Sequence, residues 1–593
     1  MPPFHSSNPH LRRRNYMNSK YAIGIDLGTT NSALAYRSLE TDNAPVQCLP
    51  ITQLVDEATE EARTTLPSFM HIDTDGSWNV GEQARRRAAE QPGRTVAAAK
   101  SWLCHSRVDR HDAILPWGAP EDVEKCSPVE ASKRYLQHLS NAWNSRFPDA
   151  PFAEQQVVLT VPASFDASAR ELTSQAAKDA GLPDHYILLE EPQSAVYAWL
   201  AQIGDAWRKQ LSKDDTLLVC DVGGGTTDFT LVRVEDEDGE LVLRRVAVGN
   251  HILVGGDNMD LLTAHIAQQA FAEKGVNVDA WQSTALWHAC RQAKEDLLSA
   301  DGAQTHPVTV LGRGRKVIGG NISVDLDKQQ ISSALLEGFF PVCGLEDRPQ
   351  RARLSGFREL GLPYEHDTAI TRHLAAFLGM HAEDGVSVRP THVLFNGGVF
   401  KSDLFKNRLM ELMGRWFGEA PQLLDGNEDL DHAVATGGAF YAAAKHSGGL
   451  RIRGGTARAY YLGIETAGLA IPGAPRPLNA FCVVPAGMEE GTEIQVPGEE
   501  FGLVTGEPAH FRVLSSAVRK DDKPGDLLAS WTEEELQETD SLEAELPAAE
   551  GIEDGYIPVR FESRVTELGI FELWCVSTLT DHRWKLEFSV RED

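Results

Sequence analysis

Two stretches of this chain share one hydrophobic pattern. Along residues 21–36 and 217–234 a short apolar run enters an aspartate, turns through glycine and paired threonines, and leaves in a second apolar run. The first turn reads Ile25-Asp26-Leu27-Gly28-Thr29-Thr30-Asn31. The second reads Cys220-Asp221-Val222-Gly223-Gly224-Gly225-Thr226-Thr227-Asp228. Apolar runs of this length bounded by glycine predict strand–turn–strand. Two hairpins of one design predict a duplicated α/β fold whose halves offer matching loops to one ligand.

Between and after the hairpins the pattern alternates helix and strand. Residues 127–146 predict an amphipathic helix with Pro128 in its first turn. Residues 156–161 predict a buried strand. Asp166 then caps a helix that Gly181 stops. Further helices are expected over 289–299 and 331–340, and a strand running into a Gly-Gly turn over 391–401. The stretch 344–380 carries Arg351, Arg353, Arg358 and Arg372, and it predicts a helical surface elaboration.

Past residue 447 the period changes. A glycine-rich linker over 447–457 leads into alternating segments at 481–484, 493–496, 511–514, 559–565, 571–576 and 584–588. These predict an antiparallel sheet with one buried face. The acidic run 520–554 reads as a solvated excursion.

At 593 residues the chain exceeds one core, so two to four domains are expected. A net charge of −30 argues against nucleic acid or an anionic membrane as the main partner. No apolar run approaches the ~20 residues of a bilayer span. Residues 1–20 hold Arg12, Arg13, Arg14 and Lys20, have no apolar core, and read as a disordered basic arm. The eight cysteines include no Cys-x-x-Cys pair, which predicts reduced core thiols in a cytoplasmic protein.

The turn chemistry points to phosphate. Amides at Gly223, Gly224 and Gly225 form a concavity for an anion, and threonine hydroxyls can bind phosphate oxygens or metal-bound water. Asp26, Asp221 and Asp228 beside such a cradle call for a cation, and Mg²⁺ binds through few protein oxygens while keeping several waters. No Gly-x-x-x-x-Gly-Lys-Ser/Thr occurs, which argues against the Walker cradle.

Gly-Ile-Asp-Leu-Gly-Thr-Thr-Asn-Ser at 24–32 and Asp-Val-Gly-Gly-Gly-Thr-Thr-Asp at 221–228 resemble the phosphate loops of the 70-kDa heat-shock (DnaK-type) chaperones, within the actin, sugar-kinase and heat-shock ATPase superfamily. Further motifs follow in the family's order to about residue 445. They are Leu-Pro-Ser-Phe at 66–69, Val-Pro-Ala-Ser-Phe at 161–165, Glu-Pro-Gln-Ser-Ala at 191–195, Val-Gly-Gly-Asp-Asn-Met-Asp at 254–260, Asn-Gly-Gly at 396–398 and Asp-His-Ala-Val-Ala at 431–435.

The resemblance implies an α/β two-lobed actin-like ATPase with duplicated ribonuclease-H-like lobes over 21–446. It implies a smaller, mostly antiparallel β-sandwich peptide-binding domain over 458–593. It selects Lys100, Glu191, Asp221 and Thr226 for catalysis, and Asp26, Asp221 and Asp228 for Mg²⁺ through water. Gly28, Thr29, Thr30, Asn31, Gly223, Gly224, Gly225, Thr226, Thr227, Gly255, Gly256, Lys294, Gly397, Gly398 and Asp431 are its nucleotide-binding set, for ATP and ADP. Pro162 and Arg170 are its interdomain relay. The implied function is a slow ATPase coupled to binding of unfolded or extended polypeptide, with J-domain or nucleotide-exchange co-chaperones as partners.

Departures are visible too. Arg291, Glu295, Leu298 and Val399 stand where the family carries other residues around adenosine, the linker is basic and poor in leucine, and no helical lid follows the last strand before Asp593. They leave two alternatives open, an actin-like nucleotide-dependent scaffold with little turnover and a small-molecule kinase of the sugar-kinase type.

Overall fold

The computed structural model describes residues 19–588 apart from 42, 106–107, 238–239, 311–321, 351–361, 363, 383–385, 425, 427, 448–451, 453–454, 457, 466–477, 490, 499, 505–507, 533–534, 546–555, 567–570 and 581. The basic arm expected over 1–20 therefore lies almost wholly outside the described residues. So do Arg351, Arg353, Arg358 and most of the linker.

Both hairpins form, and each seeds a sheet of the same design. Tyr21–Leu27 pairs antiparallel with Asn31–Ser38 and parallel with Gln156–Val161, which in turn lies parallel to Ile187–Glu190. Thr216–Val222 pairs antiparallel with Thr227–Glu237 and parallel with His392–Asn396, followed by Gln422–Leu423. Strand Thr216–Val222 is buried at every position, as expected of a central strand covered on both faces. The register sets Asp26 beside Thr160 and Asp221 beside Asn396, near the carboxyl ends of the parallel strands. Ligands of open α/β sheets bind outside those ends.

Two helices join the halves. Glu191–Ile203 begins directly after strand Ile187–Glu190, and Ala433–Ser447 crosses it, with Ser194 Oγ donating to Val434 O at 2.7 Å. One apolar cluster draws Ala22 and Val158 from the first sheet and Leu217, Val219 and Leu394 from the second, with Tyr197, Trp199 and Tyr441 between them. The Asp166 cap sits where the sequence places it, and Ser127, the first residue of the helix expected over 127–146, is a cap as well. Ser127 accepts from the Glu130 N–H at the head of Pro128–Arg146, and Asp166 accepts from the Ala169 N–H at the head of Ala167–Asp179. The helices expected over 289–299 and 331–340 are Ala280–Leu298 and Lys328–Phe339.

Two expectations need correction. The stretch 344–380 contains helix Ile370–Met380, and its apolar face is core rather than surface. Ile370, Leu374 and Phe377 are buried, with Phe377 stacked on Phe229 at 5.7 Å. The arginines around it masked a strongly apolar helix. The acidic run 520–554 is not a plain excursion. Gln537–Glu545 is a strand paired with Pro508–Ser516, and Asp522 is held by Arg519 and by the Tyr461 hydroxyl.

Strands from Ala459–Glu465 to Arg583–Phe588 pair antiparallel throughout a sheet of ten. Phe571–Ser577 alternates buried and half-buried residues along its length. Strands Ala459–Glu465, Phe501–Val504, Leu527–Leu528 and Gln537–Glu545 join the six anticipated segments. The apolar core of this sheet includes Ala167 from the helix after Asp166, so the carboxy-terminal strands pack on the first part of the chain.

Candidate functional site

The two glycine turns face each other across a cavity of about 300 Å³ between the sheets. A Cβ on Gly224 would fall on the Thr30 hydroxyl, so the loops meet with only a hydrogen atom's space between them. The second loop is braced from behind. Gly223 N–H donates to Thr226 O (2.9 Å), while the amides of Gly256 and Asp257 donate to the carbonyls of Gly223 (3.0 Å) and Gly224 (2.7 Å). Gly397 has φ of +88° and lies against the Val222 carbonyl, where a side chain would be both strained and crowded.

Three carboxylates and one ammonium occupy the centre. Lys100 is 8% exposed and forms an ion pair with Glu191. Asp26 and Asp221 complete the group, and Asn396 Nδ2 donates to Asp221 Oδ2 at 2.8 Å. Burial, then repulsion from Glu191, pushes the Asp26 carboxyl up to about 7. Burial and Glu191 also hold Asp221 well above the usual carboxylate range. Burial pulls the Lys100 ammonium down, but the attraction of Glu191 and Asp26 outweighs it and leaves the group above its ordinary value. Without a bound ion, protons offset the excess of acid over one ammonium, and a cation placed there would displace them. Among the described residues no three His, Cys, Asp or Glu side chains converge to ligate an ion directly. A hydrated divalent cation, touched through water and anionic ligand oxygens, fits this donor set.

At the other end of the cavity, Arg291 reaches Asp257 (2.5 Å) and Asp260 (2.8 Å), and Lys294 reaches Asp260 (2.6 Å) and Gly256 O (3.1 Å). Arg291 also sits over Phe69 at 5.4 Å and Trp287 at 5.6 Å. Lys401 pairs with Asp431 at 2.6 Å.

Sixteen of the sequence-selected residues line this one cavity: Asp26, Gly28, Thr29, Thr30, Asn31, Lys100, Glu191, Asp221, Gly223, Gly224, Thr226, Gly256, Lys294, Gly397, Gly398 and Asp431. The others stand behind it. A Cβ on Gly225 would meet Ser101 and Thr29, and Gly255 lies against the backbone of Gly223 and Gly224. The Thr227 hydroxyl donates to Val254 O at 2.8 Å. Asp228 accepts from the Ser164 N–H at 3.3 Å. Pro162 is buried in the segment just before Ser164, and Arg170 pairs with Glu190 at 3.1 Å.

Sequence reasoning missed Asn396, Asp257, Asp260 and the Lys401–Asp431 bridge. Asp257 and Asp260 stand inside the Gly-Gly-Asp-Asn-Met-Asp motif, and Asn396 directly precedes the Gly-Gly turn. Their motifs were visible, but the partners that give them roles lie far along the chain.

This paired-loop cleft, on duplicated sheets joined by crossing helices, defines a nucleotide-binding domain of the actin-like ATPase type. The sequence matches the Hsp70 protein family over residues 22–333. The chain belongs to the Hsp70 family. It is 28% identical over 335 residues to the chaperone protein DnaK of Stenotrophomonas maltophilia (strain R551-3), covering 53% of this chain and 48% of that protein. It is 32% identical over 322 residues to the chaperone protein HscA homolog of Methylibium petroleiphilum, covering 52% and 46%. A third relative, the chaperone protein HscA homolog of Paracidovorax citrulli, is 30% identical over 397 residues, covering 64% and 56%. The chain spans about half the length of the curated relatives it matches. Among the described residues no helix is long and apolar enough to cross a membrane.

Proposed function

We propose that the chain binds Mg·ATP in this cleft, hydrolyses it slowly, and couples turnover to the binding of extended or unfolded polypeptide by its carboxy-terminal strands. The observation that carries the reading is the opposition of two Asp–Gly–Thr loops over a buried Lys100–Glu191 pair. Phosphoryl transfer to water is mostly positioning and electrostatics, so a site of fixed donors and acceptors is sufficient for it.

Each residue then has a task. The hydroxyls of Thr29, Thr30 and Thr226 and the amides at Gly223 and Gly224 hold phosphate oxygens. Asp26 and Asp221 hold the water shell of Mg²⁺, which supplies charge neutralisation between the phosphates. Lys100, fixed by Glu191, orients the attacking water and meets charge developing on the γ-phosphate. Lys294, Gly397 and Gly398 border the nucleoside. Asp228 positions Ser164, and with Pro162 and Arg170 it connects the cleft to the rest of the chain. We assign 21–446 to the nucleotide-binding domain and 458–593 to a β-sandwich that takes peptide, joined by 447–457. Polypeptide clients, a J-domain partner and an exchange factor follow from the family. The eight unpaired cysteines suit a reducing cytoplasm.

ATP turnover measured with and without an unfolded peptide tests the reading. Stimulation by peptide is the expected outcome. Tight binding without turnover, with assembly in ATP, would make the chain a nucleotide-dependent scaffold instead.

A further inference from the structure

A second cavity, of about 580 Å³, lies between the short helix that carries Lys100 and helix Ala280–Leu298. Its walls are aromatic. Trp102 and Trp117 come from the first half of the chain, and Trp281 and Trp287 from helix Ala280–Leu298. None of these four lines the nucleotide cleft. The turn Pro92–Arg94, which also lines the cavity, packs on helix Ala280–Leu298, so the cavity closes where the two lobes touch.

Trp102 and Trp287 are buried, whereas Trp117 is 46% exposed. The Trp102 and Trp117 rings meet at 4.8 Å, tilted by 33°. Trp117 therefore spends part of its ring on Trp102 and leaves nearly half its surface in solvent, forgoing the gain that burying so large a ring would bring.

The walls carry no unbalanced charge. The charged side chains that line the cavity are Arg94 and Asp122, and they pair with each other at 3.7 Å. His288 also lines it, and burial, then the Arg291 guanidinium, lowers its pKa to about 3, so the ring is neutral. A cavity of this size with flat apolar walls and a few neutral polar groups has the character of a small-molecule site.

It also lies directly behind both walls of the nucleotide cleft. Trp102 closes helix Ala99–Trp102, two residues from Lys100. Trp287 Nε1 donates to Asp257 O at 3.2 Å, and Arg291, which lines the cleft, lies over the Trp287 ring at 5.6 Å.

We propose that this cavity binds a flat, uncharged, multi-ring aromatic small molecule between Trp117 and Trp281, and that its occupancy is coupled to nucleotide in the cleft. The binding site stands on the cavity's own walls. The coupling rests on the nucleotide reading above.

Fluorescence titration of the full chain with the neutral probe N-phenylnaphthylamine, without nucleotide, tests the site. Saturable binding is expected, displaced by unlabelled naphthol. Trp117→Ala and Trp281→Ala should each weaken it by about tenfold. No binding, or equal affinity in either folded variant, overturns the proposal, because a probe held elsewhere responds to neither change. Displacement by an unfolded polypeptide but not by naphthol would give the cavity to a macromolecule and overturns it too. A non-hydrolysable ATP analogue with Mg²⁺ should then shift the probe's affinity severalfold, and saturating probe should shift the analogue's affinity by the same factor. Probe affinity unmoved by bound analogue overturns the coupling. A chain that binds no analogue fails the nucleotide reading instead, and the probe titration still decides the site.

Discussion

The Lys100 ammonium and the Glu191 carboxylate, 91 residues apart, form a buried ion pair between the two phosphate loops. Lys100 comes from the short helix Ala99–Trp102 and Glu191 from the first residue of Glu191–Ile203. The helix amino terminus favours the carboxylate, and the carboxylate in turn fixes the ammonium. One geometry therefore serves two ends, holding the domain together and presenting a positive charge to the cleft.

Lys100→Ala should separate these ends. Removing one partner of a buried pair leaves an uncompensated carboxylate and costs about 3–5 kcal/mol. Adding Glu191→Gln to it should restore much of the stability, because the stranded charge is gone. Turnover should fall by about a hundredfold or more in both variants, with nucleotide binding retained. Urea melts and single-turnover hydrolysis check the two arms. Unchanged hydrolysis in Lys100→Ala would sink its assigned role.

Gly224 has a different sensitivity. A methyl group there would overlap the Thr30 hydroxyl and come within 3.4 Å of its Cβ. Forcing the loops apart should cost about 1–3 kcal/mol without any nucleotide present. Combining Gly224→Ala with Thr30→Ala removes the overlap and should recover most of that loss. ATP affinity should stay low in the double variant, since a phosphate-facing hydroxyl is missing. Thermal melts of the nucleotide-free protein are the first readout, and a stable Gly224→Ala would mean that the loops are not in contact in solution.

Asp26 makes stability depend on pH in an unusual direction. Its carboxyl is pushed up to about 7 from its ordinary value of 3.8. Between those values the folded chain binds more protons than the unfolded one. The folded state is therefore favoured below about 4, loses that advantage as pH rises through about 7, and is flat beyond. The raised carboxyls of Asp221 and Asp228 act in the same sense. Relative to Asp26→Asn, the nucleotide-free wild type should lose stability to urea between pH 5 and pH 8; the buried His71, His251, His288 and His381, whose pKa values burial lowers, act in the opposite sense in both proteins and cancel in the comparison. Binding of Mg·ATP near pH 6.5 should release protons, visible as a buffer-dependent heat. Stability curves of wild type and Asp26→Asn that run parallel between pH 5 and 8 would contradict the assignment.

Much of this was legible in the sequence because the hairpins are local. A strand, a glycine turn and a return strand declare themselves within about fifteen residues, and Asp26 and Asp221 sit at fixed places in them. Asp166 was readable as a cap for the same reason. What stayed hidden depends on residues distant in the chain. Arg291 faces Asp257 and Asp260 only after two helices pack, and Asn396 reaches Asp221 only across a parallel strand pair. Helix Ile370–Met380 read as surface because arginines flank it. Its apolar side becomes core once Phe377 meets Phe229. Strand Gln537–Glu545 has four acids among nine residues, a composition that predicts solvent, and its pairing with Pro508–Ser516 overrides that preference.

The linker offers the last test. Glu190, next to Glu191, holds Arg170 at 3.1 Å and also the guanidinium of Arg245, and Arg245 in turn donates to the carbonyl of Gly455. A second hold comes from the Tyr197 hydroxyl, which accepts from the Ile452 N–H at 2.7 Å. Consecutive residues thus face opposite ways, Glu191 into the cleft and Glu190 toward the linker. Arg245→Met should leave Glu190 paired with Arg170 alone, free the Gly455 carbonyl, and cost about 1–3 kcal/mol. Trypsin cleavage at Arg451 and Arg453 should accelerate, and Tyr197→Phe should give a smaller acceleration. Because a change at Glu191 is felt one residue away, filling the cleft with an ATP analogue should alter the wild-type cleavage rate and have little effect in Arg245→Met. Equal cleavage of wild type and Arg245→Met would show that the linker is held by Tyr197 and the packing around Ile452, with no part for the Glu190–Arg245 contact.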